Sequence, residues 1–273
     1  MHGFMGQMAK KSFWNAYDHL GGCILLNLLW ALLSLPWLGL ALLLMTIGWD
    51  QIIAGRLLLG IWVAVVGVQQ LMVSPVSAAL WAVTARWAHY QGAAVREFFP
   101  ALKKYFARSI GLWLLFTLGA LLLALNASFY QRLPGKLAIP GAFASGLMGW
   151  AYLFLALLQV YTFPFLVLED MSIRGSLRRS ALVTLDNMGY SLSLLLLTGA
   201  ILLIGVVSVA GLAFVCVALV GVLTNTGLRQ ILKKYEPRRE REKPKTWAEI
   251  REAQNKVEEE SRGWRDLFKP WEH

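Results

Sequence analysis

Between Arg108 and Arg132 the chain carries no charged residue at all. Residues 110–128 within that interval are nearly all apolar. At about 1.5 Å per residue such a run crosses the ~30 Å hydrocarbon core of a bilayer. Residues 20–45, 57–83, 142–168 and 189–227 are also free of Asp, Glu, Lys, Arg and His. This pattern excludes an ordinary soluble domain, in which about a quarter of the residues are charged. Here 15% are charged, 57% are hydrophobic, and the mean hydropathy is +0.54.

The last run is too long for one crossing. As a single helix, 189–227 would extend about 58 Å, twice the hydrocarbon thickness. A tight turn between Gly205 and Gly211 divides it into two spans, which gives six in total. Both termini then lie on one side. All but Arg56, Arg132 and Lys136 of the 26 lysines and arginines fall on that side. By the positive-inside rule it is the cytoplasm.

The expected fold is therefore all-α: a polytopic membrane protein with six transmembrane helices in three hairpins, N-in and C-in. Its spans cover about 20–45, 57–83, 110–128, 142–168, 189–205 and 209–227. Residues 1–227 make the transmembrane domain, and 228–273 a basic cytoplasmic tail. Gly141, Ser145 and Gly149, four residues apart, suit close approach of a neighbouring helix.

Each hairpin follows an amphipathic segment. In 95–108, Val95, Phe98, Phe99, Leu102, Tyr105 and Phe106 recur at helical spacing, with Arg96, Lys103 and Lys104 on the other side. Such a helix is expected to lie on the membrane surface and lead into the third span. In 169–188 the stripe is Ile173, Leu177, Ala181, Leu185 and Met188, with Arg174, Arg178 and Arg179 off it. Phe13, Trp14, Tyr17 and Leu20 follow Lys10 and Lys11 in the lead-in. In the tail, Thr246 and Glu249 form a capping box for a helix over 247–261. Trp264, Leu267, Phe268 and Trp271 then share one face that needs a docking surface.

Nothing in the chain spells out chemistry. His2, His19, His89 and His273 have no metal-ligand or catalytic spacing, and no nucleophile elbow, zincin or phosphate-loop motif occurs. Cys23 and Cys216 lie inside apolar runs, where cysteine packs as a small hydrophobe. No catalytic residue, metal or cofactor is expected, and the chain is read as not an enzyme. Glu169 and Asp170 read as a solvated helix end near Arg174. The basic residues flank apolar spans, so their expected partners are anionic lipid headgroups on the cytoplasmic side, not nucleic acid. Arg96, Lys103, Lys104, Arg174, Arg178, Arg179, Trp264, Leu267, Phe268 and Trp271 are the candidates for docking lipid or a membrane-protein partner. Within the spans only neutral polar groups remain. Asn27, Thr224, Asn225 and Thr226 suit interhelical hydrogen bonds, worth about 0.6 kcal/mol each. Gln69, Gln70, Asn126 and Gln159 are the candidates for a solute path.

The chain resembles the YesL-like family of uncharacterised bacterial membrane proteins. The resemblance rests on GFMGQMAKKSFWNAYDHLGGCILLNLLWALLSLPWLGL at 3–40, where Asn27, Leu28, Leu29, Trp30 and Pro36 fit the opening pattern. It continues through REFFPALKKYF at 96–106 and LRRSALVTLDNMGYSL at 177–192, and covers most of 3–230. The segment 46–60 is longer than in typical members. The resemblance implies a multi-pass protein of the bacterial plasma membrane, of unknown function and often associated with carbohydrate uptake. It supplies no site residue. Two functions are expected from these readings: a non-enzymatic accessory, assembly or regulatory component of a membrane system, or a small-solute transporter or channel.

Overall fold

The computed structural model describes residues 2–53, 57–72, 74–88, 94–208, 211 and 215–235. The tail helix expected over 247–261, and Trp264, Leu267, Phe268 and Trp271, lie outside the described residues. Among those described there are ten α-helices, two single 3-10 turns and no strand.

The helices run α1 (His2–Asp18), α2 (Leu20–Leu33), α3 (Leu35–Ile53), α4 (Leu57–Met72), α5 (Ser77–Ala88), α6 (Phe98–Tyr130), α7 (Ala138–Leu168), α8 (Ile173–Asp186), α9 (Met188–Ser208) and α10 (Val217–Tyr235). Four stretches are long and apolar enough to cross a membrane: α3, Val95–Tyr130, Gly135–Leu168 and α9. The end of α1 and α2, bent by 85° at His19, make a fifth candidate. Leu42, Leu118, Leu122, Phe143, Trp150, Leu196 and Ile204 are all exposed on these helices. Side chains of that size on the outside of several long helices mark a membrane-embedded protein.

Two apolar runs are each divided between two helices. Residues 20–45 fall on α2 and α3, which meet at Ser34 just before Pro36. Residues 57–83 fall on α4 and α5, with Pro75 in the gap. Proline has no N–H to donate and disfavours a helical residue before it, so a helix ends there readily. The two breaks face each other. Ser34 Oγ and Ser74 Oγ are 3.1 Å apart, Ser74 Oγ and Ser77 Oγ 3.0 Å, and Trp30 Nε1 donates to Ser77 Oγ at 3.1 Å. All four residues are buried, so the hydroxyls serve groups that water does not reach.

The stretch 189–227 is not one rod: Tyr190 Oη in α9 donates to the Gly227 carbonyl of α10 at 3.4 Å, so the two helices lie side by side. The amphipathic stretch before the third span is not a separate surface helix either. After the 3-10 turn Val95–Glu97 it is the first part of α6, continuous to Tyr130 and about 50 Å long. Val95, Phe98, Leu102 and Tyr105 turn inward, and Phe99 and Phe106 stay exposed. In α8 the buried face is Ser176, Ser180, Val183 and Thr184, while Leu182 and Leu185 are exposed, as is Met188 at the start of α9. Small polar residues let α8 pack closely on α7; of the apolar stripe, Ile173 and Leu177 pack against the core and Leu185 stays outward.

The centre of the bundle is α5, with α10, α6 and α7 around it. Gly221 lets α10 approach α5: a Cβ there would lie 2.8 Å from both Leu80 Cδ2 and Thr84 Oγ1. Trp81 Nε1 donates to Thr224 Oγ1 at 3.0 Å. Asn225 Nδ2 donates to the Trp81 carbonyl at 3.2 Å and to Thr84 Oγ1 at 3.0 Å. Asn27 Oδ1 accepts from the Ala218 backbone N–H at 2.9 Å, satisfying a donor in the first turn of α10.

A charged cavity at one end of the bundle

Side chains from α1 and α10 reach the end of α5. Asn15 Nδ2 donates to the Trp87 carbonyl at 2.9 Å, and the Arg229 guanidinium donates to the Ala88 carbonyl. Both satisfy carbonyls that the last turn of α5 leaves open. At the corner of α8 and α9, Asn187 Nδ2 donates to Tyr235 Oη at 2.7 Å, and Lys234 Nζ lies 3.6 Å from Asp186 Oδ2.

The loop between α7 and α8 closes this end. Asp170 sits in the left-handed region at φ +48°, which few residues other than glycine, asparagine and aspartate adopt. Its carboxylate is held by Lys104 Nζ at 2.9 Å and by Arg108 at 2.7 Å, both from α6. Glu169 pairs with Arg179, and Glu97 with Arg86. Ser172 Oγ accepts from the Gly175 N–H at 3.2 Å and so caps α8. Between α5, α6 and the end of α7 lies a cavity of about 500 Å³. Ala82, Ala85, Pro100, Ala101, Val167 and Leu168 form its apolar walls, and Arg86, Glu97, Lys104 and Tyr105 its polar ones.

Lys104, and after it Arg108, hold the Asp170 carboxyl below the usual carboxylate range. A depressed folded pKa adds stability above the unfolded value, about 3.9, and that stability is lost as pH falls through the folded value. Asp170→Asn should therefore make the acid limb of a stability–pH curve shallower below about pH 4. The change is small because the pair is exposed, and chemical unfolding at stepped pH reads it.

The residues expected to line a solute path do not share one lining. Gln69 Nε2 donates to the Phe116 carbonyl at 3.2 Å, and Gln69 Oε1 accepts from Tyr152 Oη at 2.8 Å. Gln70 Oε1 accepts from Trp113 Nε1 at 2.7 Å and from Thr117 Oγ1 at 3.3 Å. These bonds join α4 to α6 and α7. Asn126 is exposed and bonds back to the Leu122 carbonyl of its own helix at 2.7 Å. Gln159 is buried, and its Nε2 has no acceptor among the described residues.

Among the docking candidates, Lys104 pairs with Asp170 and Arg179 with Glu169, both at exposed sites. Arg96, Lys103, Arg174 and Arg178 are exposed. The partners of the acidic pair are thus Arg179 for Glu169 and Lys104 with Arg108 for Asp170, and Arg174 is neither's ion-pair partner. Sequence reasoning missed Arg86 and Glu97 as cavity residues, because α5 and α6 meet there through tertiary packing. The described residues hold no group of three or more His, Cys, Asp or Glu placed to ligate a metal, and Cys23 and Cys216 are free thiols.

No curated protein and no solved structure matches the chain. A domain of the family described as "Protein of unknown function, DUF624" is found over residues 23–127, from α2 to near the end of α6.

Proposed function

We propose that the chain is a non-enzymatic accessory component of a bacterial plasma-membrane system, with six crossings and both termini in the cytoplasm. Its charged end faces the cytosol and docks a membrane partner there. The observation that carries this reading is the set of exposed cations Arg96, Lys103, Arg174 and Arg178, beside the exposed apolar residues Phe99, Leu182 and Leu185 at the same end. The ion pairs around them fix the loops, and these four cations remain available to a partner. The resemblance to YesL-like proteins suggests a carbohydrate-uptake system as the setting.

The test is chemical crosslinking in native membranes followed by co-purification. The double variant R174E/R178E should lower recovery of the crosslinked partner at least tenfold at unchanged expression. Full recovery with this variant, and with residues 246–273 deleted, contradicts the proposal.

A small-solute path is the second reading. Two observations favour it: the facing helix breaks at Ser34 and Ser74, and the unsatisfied Gln159 amide. Broken helices near a midplane often frame transport sites. Against it, Gln69 and Gln70 are already hydrogen-bonded between helices. Solute flux into proteoliposomes that falls in Gln159→Leu would establish it.

A further inference from the structure

We infer that the cavity between α5, α6 and α7 is a binding site for the phosphate headgroup of an anionic phospholipid, with Arg86 and Lys104 as its cationic ligands. The inference rests on the membrane embedding of the chain and is independent of any protein partner.

Depth supports it. The apolar run of α6 begins at Ile110. Along a helix rising about 1.5 Å per residue, Arg108 lies about 3 Å and Lys104 about 9 Å beyond that point. The headgroup layer occupies roughly 5–8 Å on each side of the hydrocarbon core. Lys104 therefore leaves the helix at the outer edge of that layer, from which its long side chain can reach back to the phosphates. Phe106, exposed about 6 Å beyond Ile110 on the same count, suits the aromatic belt at such an interface.

Shape and charge agree. A volume of about 500 Å³ is in the range of small-molecule sites and accommodates a glycerophosphate group. The walls are apolar on the α5 and α7 sides, where Ala82, Ala85, Val167 and Leu168 would meet the glycerol and the first methylenes. Lys104 and Arg86 pair with carboxylates while about half exposed, with side-chain exposures of 52% and 53%. Exposed pairs of this kind are worth little, so a monoanionic phosphodiester can displace Glu97 from Arg86 and Asp170 from Lys104 at small cost. Asp170 keeps Arg108 when Lys104 turns to the phosphate, so the loop stays anchored. Arginine supplies the forked donor geometry that phosphate oxygens favour, and lysine the point charge.

The test uses the full-length protein, delipidated in detergent. Native mass spectrometry measures binding of phosphatidylglycerol, phosphatidylcholine and free glycerol phosphate. One phosphatidylglycerol should bind above the statistical background, at least tenfold tighter than either comparator. R86Q/K104Q should lose that binding at least tenfold, and R174Q/R178Q should keep it. Ala85→Phe, which fills the cavity and removes no charge, should lose it as well. A photoreactive phosphatidylglycerol should label wild-type peptides from 82–104 or 165–170, a readout that needs no variant. Glycerol phosphate binding as tightly as the lipid contradicts the lipid assignment. Label confined to other segments, or phosphatidylglycerol binding unchanged in both R86Q/K104Q and Ala85→Phe, contradicts the site.

Discussion

Gly60→Ala unfolds the α3–α4 hairpin at much lower denaturant than wild type, with a cost of about 3 kcal/mol. A Cβ at Gly60 would lie 2.4 Å from the Gly48 carbonyl oxygen and 2.9 Å from the Ile52 backbone nitrogen. Both are main-chain atoms, so no rotamer change relieves the clash, and the helices must separate by about 1 Å. The reciprocal contact at Gly48 lies 2.7 Å from the Gly60 oxygen, and a Cβ at Gly67 would meet the Ala41 oxygen at 2.9 Å. These pairings run in opposite directions along α3 and α4, which are antiparallel. Between apolar helices in lipid, backbone proximity of this kind supplies most of the attraction. Gly149→Ala is the control. A Cβ there meets nothing within 4 Å, so the substitution should be neutral or stabilising by up to about 1 kcal/mol. Unfolding in mixed micelles of both variants reads the opposite signs. Equal stability of the two would remove the claim that α3 and α4 touch through their backbones.

Trp81→Ala costs more still, about 4 kcal/mol. Trp81 is 2% exposed at the centre of α5, packed on Phe163 with ring centroids 5.7 Å apart. Its loss removes that contact area, opens a cavity, and takes away the donor to Thr224 Oγ1. Trp81→Phe separates these contributions. It keeps most of the volume but removes three ring atoms, the indole N–H among them, while Thr224 still bonds the Val220 carbonyl at 2.9 Å. It should cost about 1 kcal/mol. A Trp81→Ala protein that unfolds with Trp81→Phe would show that packing around α5 contributes little.

The membrane character was legible in the sequence because charge-free runs have a direct physical meaning in lipid. The position of the close contacts was not. Gly141, Ser145 and Gly149 carry the familiar small-residue spacing, yet only part of it is used. A Cβ on Gly141 would lie 2.3 Å from the Tyr130 oxygen and Ser145 accepts from Gln131, whereas Gly149 faces open space. Gly48, Gly60 and Gly67, spread over two helices, make the longer seam of main-chain contacts. Spacing within one helix says nothing about which partner it meets. Pro36 marks the start of α3 as its chemistry suggests, but the serine contacts between the two breaks need the fold to bring residues 34 and 74 together. The basic amphipathic stretch before the third span has the periodicity of a surface helix. In the fold its Phe98 and Tyr105 find α5 and α7 to pack on, so it continues the span. Asp170 shows the same limit. Its acidic character and boundary position are visible in the chain, and its partners Lys104 and Arg108 come from another helix.

The most direct measurement is sidedness. Arg174 at the charged end and Lys136 at the opposite end are both exposed, and the native Cys23 and Cys216 are buried. Single variants Arg174→Cys and Lys136→Cys are treated with a membrane-impermeant maleimide on intact cells, then again after permeabilisation. The account predicts labelling of Lys136→Cys in intact cells and of Arg174→Cys only after permeabilisation. Labelling of Arg174→Cys in intact cells, or of both variants on the same side, would contradict it.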